Sequence, residues 1–303
     1  MHFDQDGERH ALQGERVARF QNGKTEPRPA PPVGVVLHYT AVMARRRPAA
    51  DLERKFAAVS DPSVRALVER EGAIPSGLSL CLQNAISPRA ASWDFLVGRD
   101  GLVVQCNLQL SKRATWHAGR KVARLKSTLK RDYFFGATKV FDHARKEFLH
   151  PRLPDGTLMQ SGNPPCVGIE IECWGRLHEK NGKLCQRTSK GYTPVSVAPS
   201  EVVHVGRALY HGIAEPQMQA LIALCGALRD TFGITRAGWY RHREIRPDNR
   251  VDPEPPLDVA ALLDRLYAPL PEAALEALEP MQVEIDPEPD LADGEPDGEE
   301  DES

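Results

Sequence analysis

The chain has 303 residues, 41% of them hydrophobic, enough for one large core or two small ones. No run approaches the roughly 18 apolar residues of a membrane helix. The start, MHFDQDGERHALQG, lacks the basic-then-apolar order of a secretory leader, so a cytoplasmic location is the default expectation. The net charge of −3 conceals a split: residues 1–268 hold all 39 Lys and Arg against 28 Asp and Glu, a net of +11, while residues 269–303 hold 14 acids and no cation. A basic body suits an anionic partner, either nucleic acid or cell-wall polymer.

In chain order, residues 1–32 read as a polar, irregular N-terminal extension with at most a short strand, closed by the stiff connector PRPAPP at 27–32. VGVVLHYTA (33–41) is a short apolar, β-branched run and reads as a buried strand. Residues 49–73 read as two short helices broken at Asp61-Pro62. SWDFLVG, RDG and LVVQCN (92–107) make a hairpin signal. Residues 120–164 read as a long basic insertion; within 120–147, nine Lys or Arg face three acids and are interleaved with Tyr133, Phe134, Phe135 and Phe141.

VGIEIEC (167–173) alternates, which puts Glu170 and Glu172 on one face of a strand. KNGK (180–183) reads as a turn, residues 215–234 as a helix ending near Gly233, and residues 255–267 as a helix opened by proline. The Pro- and acid-rich segment 269–303 cannot bury enough apolar surface to order itself and reads as a disordered tail. The six cysteines form no CxxC pair, so free thiols are expected and a cysteine-rich metal site is not. This order of elements indicates an α/β fold, one central mixed β-sheet flanked by α-helices over 33–268.

The polar loop YRHREIRPDNRVDPEP, from Tyr240, places His242, Arg250 and Asp252 within eleven residues. If His38, at the end of its strand, meets this loop, two imidazoles and a carboxylate come together. Hydrolytic zinc sites take three N/O protein ligands and leave a fourth position for water. Glu170, on a strand rich in Val and Ile, is then the candidate base, partly desolvated and so tuned upward. Arg250 stays protonated and suits a developing oxyanion. By spacing alone, a lone strand histidine such as His38 is more often a core residue, Asp252 before Pro253 is more often a turn residue or helix cap, and Glu170 is equally half of a buried ion pair.

Five motifs in order, VVLHYTA, SWDFLVGRDGLVVQ, WHAG, VGIEIE and HREIRPDNRVDP, resemble the zinc-dependent N-acetylmuramoyl-L-alanine amidases, a superfamily that includes phage lysozyme-type amidases and peptidoglycan recognition proteins. The resemblance runs over about residues 33–266, leaving 42–91 and 120–164 unmatched. It implies zinc on His38, His242 and Asp252, with Glu170 as catalytic glutamate and Arg250 at the position of a family lysine. It implies cleavage of the amide between N-acetylmuramic acid and the first L-alanine of the stem peptide in peptidoglycan or muropeptides.

Trp116 and His117 of WHAG would contact substrate at the cleft edge or pack a loop. Trp93 stands where some relatives carry a catalytic tyrosine; without a phenol it is expected to bind substrate at most. His143, His150, His178, His204 and His211 are read as surface or helix residues. Departures from the family pattern are Arg250 for lysine, Asp248-Asn249 before it, Glu254 after it, and Ser92-Trp93-Asp94 for a Ser-x-His start. They keep a second reading open, a protein that binds muropeptide or peptidoglycan without cutting it. The expected partner is peptidoglycan or muropeptide, with no membrane. Nucleic acid is the weaker fit, because no recognised module accompanies the basic aromatic segment. Recycling in the cytoplasm, release through a holin and export by a dedicated machine are the settings compatible with a chain lacking a leader.

Overall fold

The computed structural model describes residues 1–6, 9–28, 30–59, 61–87, 92–115, 133–135, 138–142, 144–145, 147–148, 166–188, 191–242, 253 and 256–268. It falls into two units, Met1–Tyr267 and Ala268–Ser303. The acidic segment from 269 on lies outside the described residues.

The first unit opens with β1 (His2–Asp6), β2 (Arg9–Gln13), β3 (Val17–Arg19), β4 (Thr25–Pro27) and β5 (Gly34–Tyr39). Then come β6 (Arg47–Pro48), α1 (Asp51–Phe56), α2 (Pro62–Glu71), β7 (Ala73–Ile74) and α3 (Ser76–Ile86). The hairpin of β8 (Phe95–Val97) and β9 (Val103–Gln105) precedes β10 (Arg113–Thr115), and β11 (Tyr133–Phe135), β12 (Thr138–Asp142) and β13 (Glu147–Phe148) follow. Next are β14 (Cys166–Ile171), β15 (Arg176–Lys180), β16 (Lys183–Thr188), β17 (Gly191–Pro194), β18 (Val202–Val205) and β19 (Ala208–His211). The last elements are α4 (Glu215–Phe232), β20 (Trp239–Arg241) and α5 (Val259–Leu266).

Six strands in the order β20-β5-β14-β8-β9-β3 make the central sheet. Pairings from β20 through β5 and β14 to β8 are parallel, β8 and β9 are antiparallel, and β9 and β3 are parallel, so the sheet is mixed as expected. The middle strands are buried on both faces, which is why VGVVLH and CVGIEI read as nearly continuous apolar runs. On one face Val35, Leu37, Val167, Ile169 and Ile171 pack against Leu221, Leu224 and Leu228 of α4 and Leu262 and Leu266 of α5. On the other, Leu96 and Val104 pack against Phe56 of α1, Leu67 of α2 and Leu78 and Leu82 of α3. Each such leucine or phenylalanine contributes about 1.5–3 kcal/mol by leaving water.

Local signals set the helix ends. Asp61 caps α2 by accepting from the Ser63 amide at 2.9 Å, Pro62 opens it, and Gly72 closes it in the left-handed region. Gly233 closes α4 in the same way. The C-terminal helix starts later than its prolines suggest, because Asp258 caps it through the Ala261 amide.

Three expectations are corrected. Residues 1–32 are not an irregular extension: β3 is the edge of the central sheet, and Leu12, Ala18 and Phe20 are core residues. The helix α3 stands in a stretch to which no element was assigned. Between β14 and α4 the chain builds a second sheet, β17-β16-β15-β19-β18, of which only the KNGK turn was anticipated. That turn is a two-residue hairpin with Asn181 and Gly182 both at positive φ, as Asn-Gly favours. Of the basic insertion, the described backbone forms a three-stranded antiparallel sheet, β11-β12-β13.

Candidate active site

The strand β5 is flanked by β14 and β20, both parallel to it. Glu170 on β14 stands opposite His38. Arg241 stands opposite Leu37, so His242, the next residue, arrives beside His38. Alternation sends Val35 and Leu37 into the α4 core and turns His38 and Glu170 to the other face. Two imidazoles and a carboxylate are thus set by three adjacent strands, His38 on β5, Glu170 on β14 and His242 directly after β20.

The two rings meet edge to face, with centroids 4.1 Å apart and planes at 63°. Their Nδ1 atoms are 2.8 Å apart. Both side chains are buried, His38 at 1% and His242 at 4% exposure, while Glu170 is half-buried. Two histidines converging away from bulk water are a costly arrangement unless the nitrogens serve each other or a common ligand.

Glycine makes the approach possible. A Cβ on Gly34 would lie 2.7 Å from the Gly238 carbonyl oxygen and 2.8 Å from the Tyr240 ring; one on Gly238 would lie 2.7 Å from the Val33 carbonyl oxygen. Each glycine precedes its histidine by four positions, so the contact that lets β20 lie against β5 also sets the histidine pair.

The strand carrying Glu170 is fixed by Asp94, which is fully buried. Its Oδ2 accepts from the Gly168 amide at 2.8 Å and its Oδ1 from Asn107 Nδ2 at 2.6 Å. Burial pushes the Asp94 carboxyl up, and the neighbouring Arg28 opposes this. Arg28 is itself buried and donates to the Cys166 carbonyl at 3.1 Å and the Arg113 carbonyl at 3.2 Å. Neither residue was singled out from sequence. The signal for Asp94 was an acid at the head of an apolar strand, in the very triplet that departs from the family pattern.

Glu172 lies past the end of β14 and is fully buried. Its Oε2 accepts from Ser76 Oγ at 3.2 Å and from the Arg99 amide at 3.4 Å. Burial pushes it up to about 7, against these two hydrogen bonds. Gln217 of α4 donates to the carbonyls of Val97 at 2.8 Å and Glu172 at 3.1 Å. The sheet end beyond Glu170 is therefore tied to α3, to the hairpin turn and to α4.

Two readings of individual residues change. Trp93 is a core residue: its Nε1 donates to Cys81 Sγ at 3.4 Å and its ring packs with α3, so it has no face for substrate. His211 is not on the surface but buried, where its Nδ1 accepts from the Trp174 amide at 3.2 Å. Burial, then Arg99, pushes it down to about 4. Arg250, Asp252, Trp116 and His117 lie outside the described residues, as do His143 and His150. Among the described residues no three His, Cys, Asp or Glu form a group able to hold a metal; the structure places two of the expected ligands together.

The family model described as N-acetylmuramoyl-L-alanine amidase matches residues 28–255. The chain belongs to the N-acetylmuramoyl-L-alanine amidase family. The matched span contains His38, Glu170, His242, Arg250 and Asp252. No match was found among curated proteins. Among solved structures, the chain is similar to a selenomethionine derivative of AmpD, with 16% identity over 84% of this chain and 96% of that one and a TM-score of 0.40. It is similar to AmiD from E. coli, solved with anhydro-N-acetylmuramic acid-L-Ala-D-gamma-Glu-L-Lys, at 17% identity over 81% of this chain and 62% of that one, TM-score 0.37. Citrobacter freundii AmpD matches at 16% identity over 84% and 94%, TM-score 0.37. Likenesses this distant locate no side chain, and the site rests on the geometry above. The family is one of peptidoglycan amide hydrolases, on the mixed sheet with flanking helices that the motifs implied.

Proposed function

We propose that this amidase-family chain is a zinc hydrolase that cuts the amide between N-acetylmuramic acid and L-alanine in peptidoglycan or muropeptides. The observation that carries the reading is the buried pair His38 and His242, Nδ1 to Nδ1 at 2.8 Å, with Glu170 in register on the next strand. The pair fits a metal by its chemistry: two imidazoles converge out of bulk water, and imidazole is a preferred zinc ligand. In this reading Asp252 supplies the third ligand. The chemistry a zinc ion supplies there is polarisation of the scissile carbonyl and a water acidic enough to lose its proton near neutral pH.

The chain's own residues do the rest. Glu170, half-buried beside His38, accepts the proton of the attacking water and returns it to the leaving L-alanine nitrogen. Arg250, two positions before Asp252, holds the developing oxyanion by charge. Trp116 and His117 are proposed to line the cleft.

The test is cleavage of soluble anhydromuropeptide and of intact sacculi, read by mass spectrometry, for wild type and Glu170→Ala. Free stem peptide from wild type, reduced on the order of a thousandfold or more in the variant, supports the reading. Cleavage undiminished in Glu170→Ala would remove the base from it, and no cleavage of either substrate by wild type would remove the enzyme.

A further inference from the structure

The second sheet, inserted between β14 and α4, carries mostly exposed residues on one face, with Cys185 buried among them, and the buried Leu177 and His211 on the other. Its register assigns the faces. His178 pairs with Cys185, Lys180 with Lys183, Arg187 with Tyr192, and Arg176 with Tyr210. Residues paired across antiparallel strands share a face. Arg176, Lys180, Lys183 and Arg187 therefore stand together, and all four are exposed. The opposite face carries the buried Leu177 and His211, and Gln186, which donates to the Ala41 and Trp174 carbonyls.

Among the described residues the outward face is cationic, with no acid on it. None of the four cations forms an ion pair with a described residue, and the one acid on these strands, Glu179, lies on the opposite face by alternation. Surface cations are ordinarily interspersed with acids. The cluster is close enough to act on His178, whose pKa is lowered first by burial and then by Arg176, Arg187 and Lys180. Tyr192 lies among them, 45% exposed, with Lys180 Nζ 4.9 Å from its ring centroid and the His178 ring 5.2 Å away. Two flat rings beside four exposed cations suit a ligand with spaced anionic groups and hydrocarbon faces between them.

The sheet is joined to the site end of the fold. Four residues separate it from β14, and it is held to the segment following His38: the Cys173 amide donates to Thr40 Oγ1 at 3.2 Å, and Gln186 reaches the Ala41 carbonyl.

We infer that the outward face of this second sheet, Arg176, Lys180, Lys183 and Arg187 around Tyr192, is a holding surface for polymeric peptidoglycan, gripping the carboxylates of stem peptides away from the bond being cut. The inference rests on the proposed substrate class but not on catalysis. A single soluble muropeptide offers one stem, the one seated for cleavage, whereas a polymer carries a carboxylate-bearing stem on successive sugars and so offers others to this face. The face therefore favours insoluble wall over soluble fragments.

The experiment uses the full chain. Co-sedimentation with purified sacculi is measured at low salt and at ~0.5 M salt, where exposed charges are screened. Wild type is compared with Arg176→Gln/Lys180→Gln/Lys183→Gln/Arg187→Gln and with the milder Lys183→Gln/Arg187→Gln, all exposed positions outside the catalytic set. Sacculus binding is expected to fall about tenfold in the fourfold variant and part-way in the double variant, with wild-type binding lost in high salt. The rate on soluble anhydromuropeptide is expected to stay at the wild-type value. Unchanged sacculus binding in both variants overturns the inference. So does a surface that binds single-stranded oligonucleotide more tightly than sacculi, or an equal loss of soluble-substrate cleavage. If wild type cleaves nothing yet binds sacculi through these residues, the holding surface stands and the amidase reading falls.

Discussion

Replacing Glu172 by glutamine tests how the end of the Glu170 strand is held. The carboxyl is fully buried and pushed up to about 7 from 4.5. Below 4.5 both folded and unfolded chains hold the proton. Above it the unfolded chain gives the proton up while the folded chain keeps it until about 7. Stability from this group is therefore present at low pH and lost as pH rises from 4.5 to about 7, then level. At about 1.4 kcal/mol per pH unit, the loss is on the order of 3 kcal/mol. Glutamine keeps an oxygen for Ser76 Oγ and the Arg99 amide and carries no charge to bury. Urea unfolding of wild type and Glu172→Gln near pH 4.5 and pH 8 measures the difference. It should grow by about 3 kcal/mol in the variant's favour from the lower to the higher pH. Other titrating groups act on both proteins alike and cancel. Parallel pH profiles would show that Glu172 ionises in the fold as it does in water.

The remaining predictions concern the same scaffold. Asp94→Ala leaves the buried Gly168 amide and Asn107 Nδ2 without their acceptor and should cost about 2 kcal/mol or more in urea unfolding; a loss under about 1 kcal/mol would show that these donors find other partners. Gly34→Ala brings a Cβ within 2.7 Å of the Gly238 carbonyl oxygen. It should therefore lower catalysis at least about tenfold by displacing β20 and His242, more than it lowers stability; full activity would mean that the strands need no such closeness. His211, pushed down to about 4 in the fold, withdraws stability as pH falls from 6.5 toward 4. Thermal melts of His211→Gln should show less acid sensitivity over that range than wild type, and an equal slope would place His211 in solvent.

Periodicity and turn chemistry made the central sheet legible. VGVVLHY and VGIEIE are apolar because both faces of those strands are covered, and Asp61-Pro62, Gly233 and Asn181-Gly182 carry their own backbone instructions. The N-terminal strands were not legible because RHALQ and VAR are short and bury only alternate residues. The second sheet was missed for a related reason: its strands expose most of their residues, so composition resembles a loop. Within the site, His38, His242 and Glu170 converge as the motif order implied. Trp93 was misread because an aromatic at a family position says nothing of which face it takes. Here it turns inward to Cys81. Asp94 and Arg28 were invisible because their buried hydrogen bonds reach residues far away in sequence and leave no local pattern.

The proposed function depends on a catalytic zinc ion held by His38 and His242. Its most direct test is the metal content of the purified full chain, wild type beside His38→Ala, measured by plasma mass spectrometry after dialysis. Stoichiometric zinc in wild type, lost in a variant that still melts cooperatively, is the expected result. Zinc retained in folded His38→Ala, or no zinc in active wild type, would contradict it.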